Sequence, residues 1–505
     1  MADTHKSARH VASLVAVVVI VLATTYVGSR LRSPQASPTP GPSPAQTTVA
    51  QTTPTPYLPF DMPTAPTERK VFAHYVPWFP ISPDNLPADR DYYTLQYMRP
   101  NGENGVHVAY GGYIRDRPMP RRPLDDPDWQ FVDIQTEVDQ ARSIGIDGFA
   151  VDIVDLKIYQ KCIDNLLRAA QIRGDFTIQI TPDMSGRYGD SDEADFAGEF
   201  AQILNHPAAH RLDDDRVVLA PFFAERKSPQ WWTKVLDILR TTYRTDVAFV
   251  PTFLDAHVNL EAFAPISYGF GNWGTRNPDV VNPFDTSPGS PVDLVRRAHR
   301  LGKIWMQPVA YQDNRPRNGV YEESQNGVTD RNGWQIATDQ QAEWVQLVTW
   351  NDYAETTAIA PSVKHGWRML DRAAHQLSRY KFGFGPTVMR DAVYVSHRTQ
   401  PFAARPVYPE TLLMKNIGGA PSRDTVEVET YARAPSEVIA MIGENSYRCA
   451  APQGYGVCTF PAALGPVRIG MYRDGVAQSD VESPFPVTDS PQVQDLQYVV
   501  AGGLR

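Results

Sequence analysis

The chain has 505 residues and a formal net charge of -9, a balance that excludes the clustered basic surface a phosphate backbone requires, so no nucleic-acid partner is expected. Its 42% apolar and 21% charged residues are those of a globular protein, and its length predicts a large core unit plus something smaller. No His-Glu-x-x-His or paired Cys-x-x-Cys occurs, no Gly-x-Ser-x-Gly elbow, and no Gly-x-Gly-x-x-Gly or Walker loop, so no metal and no cofactor are expected.

In chain order, His5, Lys6, Arg9 and His10 precede an apolar run at residues 11–28, dense in Val, Ile, Leu and Ala. A run of about 18 residues reaches the lower limit for a spanning helix. No clear A-x-A site follows, so residues 1–32 are expected to be an uncleaved signal anchor, with a cleaved signal peptide as the alternative. Arg30 and Arg32 on the far flank leave its orientation open. Residues 33–68, rich in Pro, Thr, Ser, Ala and Gln, bury no core and predict an extended linker. These segments predict an extracellular protein that meets a membrane through its N-terminal segment, or is secreted if that segment is cleaved.

From Lys70 onward eight candidate strands follow at 71–75, 148–152, 177–183, 217–221, 247–253, 265–270, 303–310 and 344–350. Between them lie helical stripes such as Ile134, Val138 and Ala141, or Ile163, Leu166, Leu167 and Ala170, and a last helix at 367–380. The alternation predicts an α/β fold, a (β/α)₈ TIM barrel over 69–386. An insertion at 80–129, rich in Pro, Asp, Arg, Gly and Tyr, reads as a lid or binding wall. After Pro386, short strands at 392–396, 425–431, 437–441, 467–472 and 497–500 predict a C-terminal β-sandwich domain over 387–505. Cys449 and Cys458 bracket a short loop there and can pair as a disulfide in an exported protein, whereas Cys162 reads as a small hydrophobe in a helix.

Barrel chemistry sits at the carboxyl ends of the strands. There the sequence places His74, Tyr75 and Trp78, then Asp152 and Asp155, Asp183, Glu225, Asp255, and finally Trp350, Asn351, Asp352, Tyr353 and Glu355, with Trp273 in a loop beyond the sixth strand. Each has a bland reading alone: His74 as a core histidine, Asp152 or Asp183 as a helix cap, the tryptophans as packing. Together they converge on one face. Two acids three residues apart, amid aromatics, suit glycosidic cleavage, in which one acid protonates the leaving oxygen and a carboxylate activates water or attacks the sugar. Asp352 and Glu355 are therefore the candidate catalytic pair. His74, Tyr75, Trp78, Asp152, Asp183, Glu225, Trp273, Trp350, Asn351 and Tyr353 are candidate substrate-binding residues on a polysaccharide.

Four motifs, Val71-Phe-Ala-His74, Gly145-Ile-Asp-Gly-Phe-Ala150, Phe223-Ala-Glu225 and Thr349-Trp-Asn-Asp-Tyr-Ala-Glu355, resemble glycoside hydrolase family 71, the endo-1,3-α-glucanases or mutanases. The resemblance implies inverting hydrolysis of α-1,3-glucan by the pair Asp352 and Glu355; we assign Glu355 as general acid and Asp352 as general base, an order that the sequence leaves open. Departures are Asp152, where the family usually has Asn, the sequence Ala354-Glu-Thr-Thr357 and a longer loop after the first strand. His74-Tyr-Val-Pro-Trp78 is also similar to family 99-like hydrolases of α-mannans. A non-catalytic carbohydrate-binding barrel is the alternative of another class, although retention of both acids favours an enzyme. A monomer is expected.

Overall fold

The computed structural model describes residues 57–63 and 67–505. The apolar run at 11–28 and most of the 33–68 stretch lie outside the described residues. Among the described residues no helix is long and apolar enough to cross a membrane.

Nine parallel segments build the central sheet: β1 (Lys70–Tyr75), β2 (Gly148–Ile153), β3 (Thr177–Pro182), β4 (Val217–Leu219), β5 (Val247–Phe249), β6 (Thr252–Phe253), β7 (Gly269–Asn272), β8 (Ile304–Val309) and, after an inserted hairpin of β9 (Asp313–Arg315) and β10 (Val320–Glu322), β11 (Trp344–Leu347). Their order is β5-β4-β3-β2-β1-β11-β8-β7-β6. Across Val250 and Pro251, β5 and β6 run on from each other. The Val250 and Thr252 amides still donate to Leu219 and Pro221 carbonyls at 2.9 Å, while β6 pairs with β7. The nine segments thus trace eight strands, and the sheet closes as a (β/α)₈ barrel. The stretch at 247–253, expected as one strand, is cut in two because Pro251 has no N–H to donate. The strand expected at 265–270 begins later, at Gly269, after a 3₁₀ turn at Ala264–Ile266 that carries Pro265.

Alternation along the strands sorts side chains between two cores. Phe72, Ala150, Val218, Ala220, Ala248, Val250, Met306 and Trp344 fill the barrel interior. Val71, Ala73, Tyr75, Phe149, Val151 and Ile153 instead face the surrounding helices. Those helices start where the sequence supplies caps. Asp155 Oδ1 accepts from the Lys157 and Ile158 amides at the head of Leu156–Arg173, and Ser228 and Ser290 cap helices that open with Pro229 and Pro291.

Beyond the barrel, β12 (Ala392–Arg398), β13 (Lys415–Asn416), β14 (Thr425–Ala432), β15 (Ser436–Ile442), β16 (Asn445–Ala451), β17 (Gly454–Pro461), β18 (Val467–Arg473), β19 (Val476–Glu482) and β20 (Tyr498–Gly502) follow. All but β13 form two four-stranded antiparallel sheets, β17-β14-β12-β20 and β16-β15-β18-β19, over a shared apolar core that includes Val395, Val428, Val438 and Ile469. This is the sandwich. Strands β13, β16, β17 and β19 were not anticipated, because their exposed positions keep them from reading as apolar runs. A disulfide joins Cys449 on β16 to Cys458 on β17, with Cα atoms 6.4 Å apart, and so ties one sheet to the other. Cys162 lies half-buried on the helix Leu156–Arg173.

Charged groups fasten the sandwich to the barrel. Arg331, on the helix Val328–Asp339, grips Glu427 of β14 with two bonds of 2.6 and 2.7 Å. Arg372, on the helix Arg368–Phe382, pairs with Glu429 of the same strand. A third link is a small sheet in which β10 pairs antiparallel with β9 and parallel with β13, a strand from the C-terminal part.

Candidate active site

At the barrel mouth the inward-facing positions of β1 and β2 bring His74 and Asp152 together, with His74 Nε2 3.4 Å from Asp152 Oδ2. Gln346 of β11 donates to His74 Nδ1 at 3.0 Å. This bond leaves the ring proton on Nε2, facing Asp152. Burial holds the His74 ring down to about 4, so it is neutral at ordinary pH. Burial pushes the Asp152 carboxyl up to about 8, with the charge of Glu355 adding to it. Asp183, just past β3, is raised to about 7 by burial and then by Asp152, against a 2.6 Å bond from the Ser185 amide.

The turn after β11 completes the cluster. Asp352 Oδ1 accepts from the Ala354 and Glu355 amides at 2.9 and 3.1 Å, which aims the turn. Thr356 follows at φ +54, a left-handed conformation that costs a β-branched residue energy and that Asn314 holds through bonds to Thr356 Oγ1. Glu355 keeps 26% of its side chain exposed, enough to meet a substrate. Burial raises Asp352 to about 6, against the bonds from the Glu355 and Ala354 amides and the Arg315 charge. It raises Glu355 to about 7, where Arg315 lowers it and Asp313 and Asp352 push it up. Four carboxyls thus titrate above their usual range in one mouth, the environment in which acids and bases for catalysis are made.

Aromatic rings frame these acids. Trp273 is half-buried and stands edge-on to His74 with centroids 4.8 Å apart, while Trp78, also half-buried, lies near Tyr159. From the insertion at 80–129 comes Tyr113, whose phenol is pushed up by burial and then by the charge of Asp352.

Other expected site residues stand behind the mouth. Tyr75 and Trp350 face the helix layer, where Tyr75 Oη and Trp350 Nε1 donate to Glu137 at 2.9 and 3.1 Å. Asn351 is fully buried and ties the loop after β1 to the turn after β11 through Val76 and Phe79. Tyr353 is buried against Phe79. Glu225 is engaged by the Leu254 and Asp255 amides at 2.7 and 2.9 Å. Asp155 caps its helix and pairs with Arg187, and Asp255 is exposed. Asp313, Arg315, Arg276, Gln346 and Tyr113 were not anticipated. Asp313 and Arg315 follow the exit of β8, on a stretch that reads from sequence as a polar loop.

Glu137 supports a stability prediction. Burial raises its carboxyl from 4.5 to about 8, so between those values the folded state holds a proton that the unfolded chain has lost. Stability therefore falls as pH rises through that window, by about 1.4 kcal/mol per pH unit from this group. Glu137→Gln, measured by denaturant unfolding at pH 5 and pH 8, is expected to lose less stability than the wild type across the interval. An equal loss in both proteins would contradict the assignment.

A family model described as glycosyl hydrolase family 71 matches residues 126–500. Among curated proteins, a mutanase of Penicillium rubens is 24% identical over 385 residues, 72% of this chain and 83% of that protein. A glucan endo-1,3-alpha-glucosidase of Schizosaccharomyces pombe is 24% identical over 356 residues, 65% of this chain and 80% of that protein. Among solved structures, the family 99 endo-alpha-mannosidase from Bacteroides thetaiotaomicron is 14% identical with a TM-score of 0.46, covering 62% of this chain and 97% of that one.

Proposed function

We propose, for a chain that belongs to glycosyl hydrolase family 71, that it hydrolyses α-1,3-glucan internally and with inversion, using Glu355 as general acid and Asp352 as general base. The observation that carries the reading is the turn after β11, which presents both carboxyls at the barrel mouth. Two backbone amides on Asp352 Oδ1 favour its ionised form, as a base requires, while burial and the charges of Asp313 and Asp352 raise Glu355, as an acid requires. The names of the mutanase and the glucosidase relatives support the glucan. In this mechanism Asp352 draws a proton from water as the water attacks the anomeric carbon, and Glu355 gives a proton to the departing oxygen. Trp273 and Trp78 supply flat faces for sugar rings, and His74 with Asp152 and Asp183 supplies hydrogen bonds to hydroxyls.

A panel of α-1,3-glucan, α-1,4-glucan, β-1,3-glucan and α-mannan tests this. Oligosaccharides are expected from α-1,3-glucan alone, with the β-anomer appearing first by NMR. Initial release of the α-anomer would remove inversion, and release from α-mannan alone would favour the family 99-like alternative.

The reading includes an extracellular, membrane-tethered location, supported by the apolar run at 11–28 and the Cys449–Cys458 disulfide. Full-length chain is expected in the membrane fraction and is expected to be cleaved by protease added to intact cells. Protected, cytosolic chain would overturn that location.

A further inference from the structure

We propose that Asp313 and Arg315, on the hairpin inserted after β8, are positioning residues that set when Glu355 holds its proton. The proposal rests on the reading of Glu355 as the general acid. Arg315 Nε and Nη2 donate to the two Asp313 oxygens at 2.8 and 2.6 Å, and Arg315 Nη1 stands 3.3 Å from Glu355 Oε1. Asp313 Oδ2 also lies 3.7 Å from Arg276 Nε, and both side chains are only 2% exposed. The result is an alternating row, Arg276, Asp313, Arg315, Glu355.

The order of charges in that row decides its effect. An arginine alone beside a poorly solvated carboxyl favours the ionised carboxylate, which is useless as a proton donor. Here two of the five N–H donors of Arg315 are already taken by Asp313 in a bidentate pairing, whose carboxylate also offsets the guanidinium charge. One remaining N–H edge is left to orient Glu355. The same short strand fixes the backbone of the acid, because the Asn314 amide donates to the Glu355 carbonyl at 2.8 Å. The strand is itself held, since β10 pairs with β9 on one edge and with β13 on the other.

The charged and titratable groups facing Glu355 are Arg315, Asp313 and Arg276 from the loops beyond β7 and β8, Asp352 from its own turn, Asp152 from β2 and His74 from β1. Arg315 acts to lower Glu355 and Asp313 to raise it. The two members of the pair therefore predict shifts of opposite sign. Removing the charge of Asp313 lets Arg315 act undiluted, and removing the charge of Arg315 leaves Asp313 facing Glu355.

The experiment is the pH profile of kcat/KM on soluble α-1,3-gluco-oligosaccharides, with full-length wild type, Asp313→Asn, Arg315→Gln and Arg315→Lys. The alkaline limb, which reports loss of the acid's proton, is expected to move down by about one pH unit in Asp313→Asn and up by a similar amount in Arg315→Gln, the lower end of what one nearby charge produces. Arg315→Lys keeps the charge and is expected to hold the limb near its wild-type position, with the loss falling on kcat. If Asp313→Asn does not fold, the contrast between Arg315→Gln and Arg315→Lys decides. Variants that lose rate with an unmoved limb, or whose limbs move in the same direction, would reduce the hairpin to a structural support and overturn the proposal. Glu355→Gln in the same assay tells the two readings apart: an inactive Glu355→Gln with unmoved limbs in the hairpin variants sinks this proposal alone, whereas an active one sinks the assignment of the acid as well.

Discussion

Glu355→Gln is expected to lower the hydrolysis of α-1,3-glucan by about 10²–10⁴-fold, the usual contribution of one general acid or base. The fold is expected to survive, because the amide keeps the shape of the glutamate, 26% exposed at its side chain, and its geometry toward Arg315. A substrate whose leaving group needs no proton, such as an activated aryl glycoside, is expected to restore much of the rate in Glu355→Gln and little of it in Asp352→Asn. Rescue of Asp352→Asn instead would exchange the two roles. Wild-type turnover by the double variant would remove the pair from the mechanism and leave Asp152 and Asp183 as the acids to test. The pH profile follows from the same two groups. The acid must be protonated, so rate is lost as pH rises through about 7, where Glu355 titrates. The base must be ionised, so rate is also lost as pH falls through about 6, where Asp352 titrates.

The second large effect concerns the seam between barrel and sandwich. Arg372 is 5% exposed at its side chain and faces Glu429, itself 6% exposed, with Glu427 3.7 Å away. Arg372→Ala removes the nearer arginine of a buried charge group and leaves Glu429 facing only Arg331, 3.7 Å away, a change that costs about 3 kcal/mol, the lower end for breaking a buried pair. It also removes the guanidinium that lies over the Tyr311 ring at 4.7 Å. Denaturant unfolding followed by fluorescence is expected to show the midpoint fall sharply, and a second change, Glu429→Gln, is expected to recover part of the loss by removing the stranded charge. A single variant as stable as the wild type, or a double variant less stable than the sum of its parts, would contradict this account.

The barrel was legible because its strands are near-continuous apolar runs between amphipathic helices, and that signal survives without any tertiary information. Its acids were legible because they stand at strand ends. The direction of each side chain was read less well. His74 and Tyr75 are neighbours, and a period of two sends one to the mouth and the other to Glu137. Trp350, in the apolar run that ends at Asp352, likewise turns outward to the same glutamate. The hairpin at 313–322 was opaque for another reason. Its segment Asp-Asn-Arg-Pro-Arg-Asn-Gly reads as a polar loop, and its order comes from pairing with a strand about one hundred residues later in the chain. Asp152 shows how environment can outweigh residue type. Burial raises it to about 8, which favours a protonated carboxyl, close in shape and hydrogen bonding to an asparagine.

The small sheet of β9, β10 and β13 bears on the order in which this protein becomes an enzyme. During synthesis the chain emerges from its N-terminus, and domains tend to organise as they appear. The last barrel strand is finished at Leu347, and the turn with Asp352 and Glu355 follows at once. The hairpin that carries Arg315 keeps an unpaired edge until Lys415 and Asn416 arrive. The hairpin beside Glu355 therefore gains its full support only after most of the chain has been made, so a stalled or truncated product holds every barrel strand and the hairpin yet lacks the strand that pairs with the hairpin's outer edge.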